Sequence, residues 1–221
     1  VSAAVVSTAQ RTVAAFDFDG TLTHHDSLVP FLMRVRGRAA VMRALVSSAP
    51  VLLASATGRE SRERGKEALL IATVNGWWVD ELGPAVDEYA REVVEKRLRP
   101  DRVERLRWHQ EQGHEVVLVS ASPELYVGRV GELLGCAGVI ATQLEVDRRG
   151  RLTGRLFGDN VWGVEKERLL REWLAGDAVR LYAYGDSDGD AQMLAMADVG
   201  VRLGGRDRLG REPEPGPFPS R

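Results

Sequence analysis

Two carboxylates stand two residues apart in Asp17-Phe18-Asp19-Gly20-Thr21-Leu22-Thr23, directly after the apolar run Val13-Ala14-Ala15-Phe16. The run reads as a short buried strand, and strand alternation would put both carboxylates on one face at its end. Holding such a pair together is costly. Two unit charges ~4 Å apart repel by ~4 kcal/mol at an effective dielectric of ~20, and a metal ion or a shared proton is the usual compensation. A second acidic group, Asp186, Asp188 and Asp190, follows the strand-like run Val179 to Tyr184. Ser120 follows Val116-Val117-Leu118-Val119, and Lys166 lies near the start of a helix-period segment. Carboxylate oxygens without a cysteine or histidine cluster favour Mg2+ over zinc or copper. A small hard cation on a few carboxylates is the usual partner of phosphate groups.

The elements that must position these residues alternate. Strands are expected at residues 13–18, 116–119, 139–142, 179–184 and 199–203, with helices at 101–112, 123–134, 164–174 and 191–196. Residues 144–156 read as a hairpin around Arg148-Arg149-Gly150. This rhythm predicts an α/β fold, a Rossmann-like doubly wound parallel sheet, which binds ligands outside the carboxyl ends of its strands. Asp17, Ser120 and Asp186 all fall at such ends. Residues 24–99 contain only helix-period segments, at 27–49, 59–73 and 79–98, the first stopped by Pro50. They read as an inserted helical cap domain on a core of residues 1–23 and 100–203. The Gly- and Pro-rich residues 204–221 read as a disordered tail.

Composition narrows the partners. With 44% hydrophobic and 28% charged residues the chain has the make-up of an ordinary soluble protein, and a formal charge of −2 gives no case for nucleic-acid binding. A single cysteine, Cys136, excludes an intrachain disulfide and reads as a small buried filler. No run reaches the ~20 apolar residues of a membrane span. Residues 1–10 lack the basic and apolar regions of a signal peptide. A cytoplasmic location and a small-molecule partner are the expectation; oligomeric state is not readable.

With these motifs in order, the chain resembles a phosphatase of the haloacid dehalogenase superfamily. The insertion is similar to the C1 helical cap of its phosphoserine-phosphatase-like branch, subfamily IB. The resemblance implies that Asp17 is the nucleophile, forming an aspartyl-phosphate, and that Asp19 acts as acid and then base. It implies that Ser120 hydrogen-bonds a phosphoryl oxygen and that Lys166 neutralises charge on Asp17 and phosphate. Mg2+ would be held by Asp17, Asp186 and the backbone carbonyl of Asp19, with Asp190 supporting it directly or from behind. Gly20, Thr21, Ala121 and Asp26 are the expected substrate contacts, the first two through backbone amides. The implied activity is Mg2+-dependent removal of phosphate from a small phosphomonoester. A phosphotransferase using the same intermediate, a lipid-phosphate phosphatase at a membrane surface and a non-catalytic phospho-ligand module are the alternatives.

Some positions depart from that branch. Ser120-Ala121-Ser122 stands where phosphoserine phosphatases usually carry serine and two glycines, Gly20 replaces a serine, and Asp26 replaces a glutamate. The resemblance therefore does not select phosphoserine. Asp26 also suits the N-cap of the first cap helix, and Asp188 that of the helix after it. His24 and His25 read as hinge residues, and Trp77 and Trp78 as cap core. Lys66 and Lys96 show no context for a Schiff-base lysine. Arg34, Arg36, Arg38 and Arg43 precede the uncharged stretch Ala44 to Thr57. A cap helix that packs its apolar side, with arginines at the rim, is favoured there over contact with anionic lipid.

Overall fold

The computed structural model describes residues 11–57, 61–176, 178–204 and 207–210. Its strands are β1 (Thr12–Phe16), β2 (Glu115–Pro123), β3 (Gly138–Thr142), β4 (Leu144–Val146), β5 (Leu152–Leu156), β6 (Arg180–Gly185) and β7 (Val199–Arg202). Its helices are α1 (Leu28–Arg36), α2 (Arg38–Ala56), α3 (Arg62–Val74), α4 (Val79–Lys96), α5 (Pro100–Glu111), α6 (Glu124–Leu134), α7 (Val164–Trp173) and α8 (Ala191–Met196). The chain is α/β, as its alternating pattern predicts. Five parallel strands run in the order β3-β2-β1-β6-β7, with helices on both faces.

β1 is the central strand and carries no polar residue from Val13 to Phe16, because both of its faces are covered. Its alternation sorts the two cores. Ala14 and Phe16 pack with Leu106, Tyr126 and Val130 on one side; Val13 and Ala15 pack with Leu170, Leu174 and Met193 on the other. Phe16 lies opposite Leu118 of β2 and Tyr184 of β6. The winding therefore reverses at β1, and the crevice beyond its carboxyl end is the switch point where such sheets bind ligands.

The insertion is helical, but its first segment differs from the sequence expectation. It is two helices broken at Gly37, whose φ of 79° is the left-handed conformation glycine adopts without strain. Nor does Pro50 end α2, which continues to Ala56. Pro50 deprives the Val46 carbonyl of its helical donor. Both residues are exposed, so water is at hand to take that place.

The hairpin β4–β5 joins the insertion to the core. Gly76 and Val79 donate to the carbonyls of Leu152 and Gly150, at 2.8 and 3.1 Å, and Leu152 donates to Trp77 at 2.8 Å. Gly154, at φ 79°, lies so close to α3 that a Cβ there would meet the Ile71 backbone at 2.6 Å. The expected disordered tail needs correction where it is described. The Asp207 carbonyl accepts from Arg99 and Arg102 (3.1 and 2.6 Å), that of Gly210 accepts from Arg105, and Leu209 is buried. The rest of that expectation, at 205–206 and 211–221, and the lead-in at 1–10 lie outside the described residues.

Candidate active site

β1 delivers Asp17 directly. The Asp17 amide donates to the Tyr184 carbonyl at 2.9 Å, extending the contact with β6 by one bond beyond the strand. The chain then coils through Phe18–Leu22 and closes with the Thr23 amide on the Phe18 carbonyl at 3.0 Å. Gly20 turns this corner at φ 83°, and a Cβ on it would lie 2.3 Å from Asp186 Oδ2. Glycine is thus required by conformation and by space.

Because the strand stops at Phe16, Asp17 and Asp19 do not share a strand face, contrary to the alternation argument. Asp17, 6% exposed, accepts from Lys166 Nζ at 2.5 Å through Oδ1. Asp19 accepts a hydrogen bond from Ser122 Oγ. Burial pushes Asp17 up to about 7, against the opposing charge of Lys166. Burial also raises Asp19 to about 6, helped by the charge of Asp26 and opposed by hydrogen bonds from Ser122 and Ser27.

Lys166 sits in the first turn of α7 and is 2% exposed. Its ammonium spans Asp17 Oδ1 and Asp190 Oδ1, at 2.5 and 2.6 Å. Burial disfavours its charge, but the two carboxylates outweigh that and its pKa rises. The other oxygen of Asp190 accepts from the Asp186 and Ser187 amides and from Ser187 Oγ, at 3.2, 2.9 and 2.8 Å. Asp190 therefore holds Lys166 through Oδ1 and the loop after β6 through Oδ2. Together with Ser187 it also makes the cap expected of Asp188. Asp188 instead projects outward and pairs with Arg202 at 2.7 Å.

One oxygen each from Asp17, Asp186 and Asp190 lie within 4.8 Å of one another. This set of hard oxygens fits Mg2+. The Asp186 carboxyl, raised by burial, is fixed by Thr21 Oγ1 at 3.2 Å. The Asp19 carboxylate lies outside this cluster, held by Ser122 after the turn that follows β1; the metal contact expected of Asp19 is through its backbone carbonyl rather than its side chain.

A cavity of about 510 Å3 opens over these groups, lined by Asp17, Asp19, Ser120 and Lys166 from the core. Ser120 Oγ accepts from the Ser122 amide at 3.0 Å, which leaves its hydroxyl proton for the cavity. Gly20 and Thr21 sit against Asp186 rather than on the cavity wall. Asp26 lines the cavity but uses Oδ1 to cap α1, accepting from Leu28 N at 3.0 Å. The Ala121 carbonyl is taken by Lys66. His24, His25 and Lys96 line a separate recess. Trp77 is partly buried under Arg36, whereas Trp78 is exposed, so only the first belongs to the cap core. Cys136 is partly buried, which pushes its thiol up to about 12.

Lys66 was not legible as a site residue. Its ammonium enters the cavity from α3 and donates to the Ala121 carbonyl at 2.5 Å and to Asn160 Oδ1. Burial lowers it to about 8, with Asp26 and Asp19 opposing. Glu63 and Glu67 on the same helix accept from the Asn160 and Leu156 amides, at 3.1 and 3.0 Å. In sequence, Glu63, Lys66 and Glu67 look like a solvated helix face. Here that face meets the core.

A family model of haloacid dehalogenase-like hydrolases matches residues 14–195. The chain belongs to that family. It is similar to Protein CicA of Caulobacter vibrioides, at 36% identity over 84% of this chain and 83% of that protein. It is 29% identical to Phosphoserine phosphatase SerB1 of Mycobacterium tuberculosis over 89% of this chain and 66% of that one. A crystal structure of a protein with unknown function from Bordetella pertussis Tohama I superposes with a TM-score of 0.70 at 28% identity, covering 84% of this chain and 86% of that one. Phosphoserine phosphatase in apo form shares the fold at 18% identity, with a TM-score of 0.59 over 85% of this chain and 84% of that one. This haloacid dehalogenase-like hydrolase is an enzyme of the family's phosphatase kind.

Proposed function

We propose that this phosphatase hydrolyses a small phosphomonoester in a Mg2+-dependent reaction that passes the phosphoryl group through Asp17. The observation that carries this reading is Asp17 at the sheet's switch point, bonded to Lys166 beside an acidic triad, with Asp19 separately placed. Asp17, Asp186 and Asp190 would hold Mg2+, which when bound offsets charge between a carboxylate nucleophile and an anionic phosphate. Lys166 adds a fixed positive charge and holds Asp17 Oδ1, leaving Oδ2 to attack phosphorus. The bond from phosphorus to the ester oxygen breaks, and Asp19 gives that oxygen its proton. Water then attacks the aspartyl-phosphate and gives its proton to Asp19. Phosphate leaves and Asp17 is regenerated. Ser120 donates to a phosphoryl oxygen throughout, and Lys66 meets the anionic substrate from the cap side.

A pKa of about 6 suits Asp19 to both halves of the cycle. It also argues against a module that only binds, which needs no proton donor. A panel of alkyl and aryl phosphates, followed by phosphate release with Mg2+, tests the assignment. Asp19→Asn should lose about 10²–10⁴-fold on alkyl esters, whose alkoxide needs a proton, and much less on nitrophenyl phosphate. The comparison is made on the first step, release of the alcohol or nitrophenol in a single turnover, because the later hydrolysis of the aspartyl-phosphate uses Asp19 as base for both classes. Equal losses in that first step would remove Asp19 as the donor.

Metal binding should depend on pH in a defined direction. A carboxyl raised from 3.8 to about 7 stabilises the fold below its unfolded pKa, and that contribution fades as pH rises through about 7. Mg2+ at low pH must displace the Asp17 proton; above about 7 it need not. Magnesium should therefore raise the melting temperature more at pH 8 than at pH 5. An equal or reversed shift in calorimetry would separate Asp17 from the metal site.

A further inference from the structure

The sequence favours an α2 that packs its apolar side inward. The structure differs. By length and composition α2 is apolar enough to cross a bilayer, yet only 17% of it is buried within the protein. Val41, Ala44 and Ser48 turn inward against the rest of the insertion. Met42, Val46 and Leu53 are 52%, 72% and 67% exposed. With Pro50 they fall at i, i+4, i+8 and i+11, which forms one stripe along the helix.

The charge around the stripe has one sign. Helices α1 and α2 carry Arg34, Arg36, Arg38 and Arg43 and no aspartate or glutamate, in a chain whose formal charge is −2. Arg34 pairs with Glu88, and Arg36 lies over Trp77 at 4.7 Å. Arg38 and Arg43 are exposed beside the stripe and have no acidic partner among the described residues. We propose that this face of α2 docks on an anionic bilayer surface, with Met42, Val46 and Leu53 at the headgroup boundary and Arg38 and Arg43 on lipid phosphates. A second copy of the chain fits less well, because a two-fold contact through this face would set arginines against arginines with no acid to meet them. A spanning arrangement conflicts with the inward packing of Val41, Ala44 and Ser48. The same helix supplies Leu52, Ser55 and Ala56 to the catalytic cavity, so docking sets that cavity beside the lipid surface. The proposal does not depend on the catalytic assignment.

Co-sedimentation with phosphatidylcholine vesicles, with and without phosphatidylglycerol, tests it on the full chain. The protein should pellet with the anionic vesicles only, and high salt should release it. M42E/V46E and R38E/R43E should each weaken partitioning by about tenfold or more. Their circular dichroism, melting temperature and turnover of a water-soluble phosphomonoester should match the unmodified protein, because these side chains touch neither core nor cavity. Failure of the unmodified protein to pellet with anionic vesicles overturns the proposal, as does equal pelleting by the variants. A concentration-dependent dimer that M42E/V46E disperses, without vesicle binding, overturns it in favour of self-association.

Discussion

Asp17→Asn should lower phosphate release by about 10⁴-fold or more while leaving the protein folded. The amide keeps the size and shape of the carboxyl, and its oxygen still accepts from Lys166, which Asp17 meets at 2.5 Å. What it lacks is a charged oxygen able to form a bond to phosphorus. The fold should not suffer, because the ionised carboxylate is the form that burial disfavours there. A neutral asparagine escapes the loss of stability that a raised carboxyl incurs as pH climbs from about 4 to about 7. The variant should therefore melt at or above the temperature of the unmodified protein at pH 8. Initial rates and thermal melts on the same preparation check both statements. A folded variant with unimpaired turnover would take Asp17 out of the chemistry.

Much of this site is readable from one sequence because its parts sit at or near the carboxyl ends of strands. Ser120 lies in the last part of β2, and Asp17 and Asp186 lie just beyond β1 and β6. Asp17, Ser120 and Asp186 each follow a short apolar run, and the sheet brings such runs side by side whatever lies between them. Lys166 is less regular, since only the family resemblance separates it from its helical neighbours Glu165, Glu167 and Arg168. The strand argument failed at Asp19. Alternation holds only while the ladder lasts, and Gly20 ends it with a turn that sends Asp19 to Ser122. Lys66 was hidden for a different reason. Its helix looks solvated until the hairpin β4–β5 is seen to lie against it, and that contact spans about 90 residues. The exposed face of α2 was misread because an apolar run implies burial only if something covers it. Nothing in its spacing says that α1 and α3 cover the other side alone.

Lys166→Met should destabilise the protein by about 3–5 kcal/mol and lower turnover by about 10³-fold. The ammonium is 2% exposed and spans two buried carboxylates, so its removal leaves Asp17 and Asp190 facing each other without a cation. Asp190 is 0% exposed and cannot reach water to compensate. Two effects are mixed in this variant, and a second change separates them. Asp190→Asn added to Lys166→Met removes one stranded charge and should restore much of the lost stability. It should not restore turnover, because no cation then faces Asp17 and the phosphate from that side. Urea denaturation gives the first quantity and phosphate release the second. Recovery of both would make Lys166 a structural residue alone. Recovery of neither would mean that the asparagine amide cannot hold the Asp186 and Ser187 amides as the carboxylate does. Magnesium offers an independent check: a divalent ion on the same carboxylates should stabilise Lys166→Met more than the unmodified protein, because it supplies the charge that the methionine lacks.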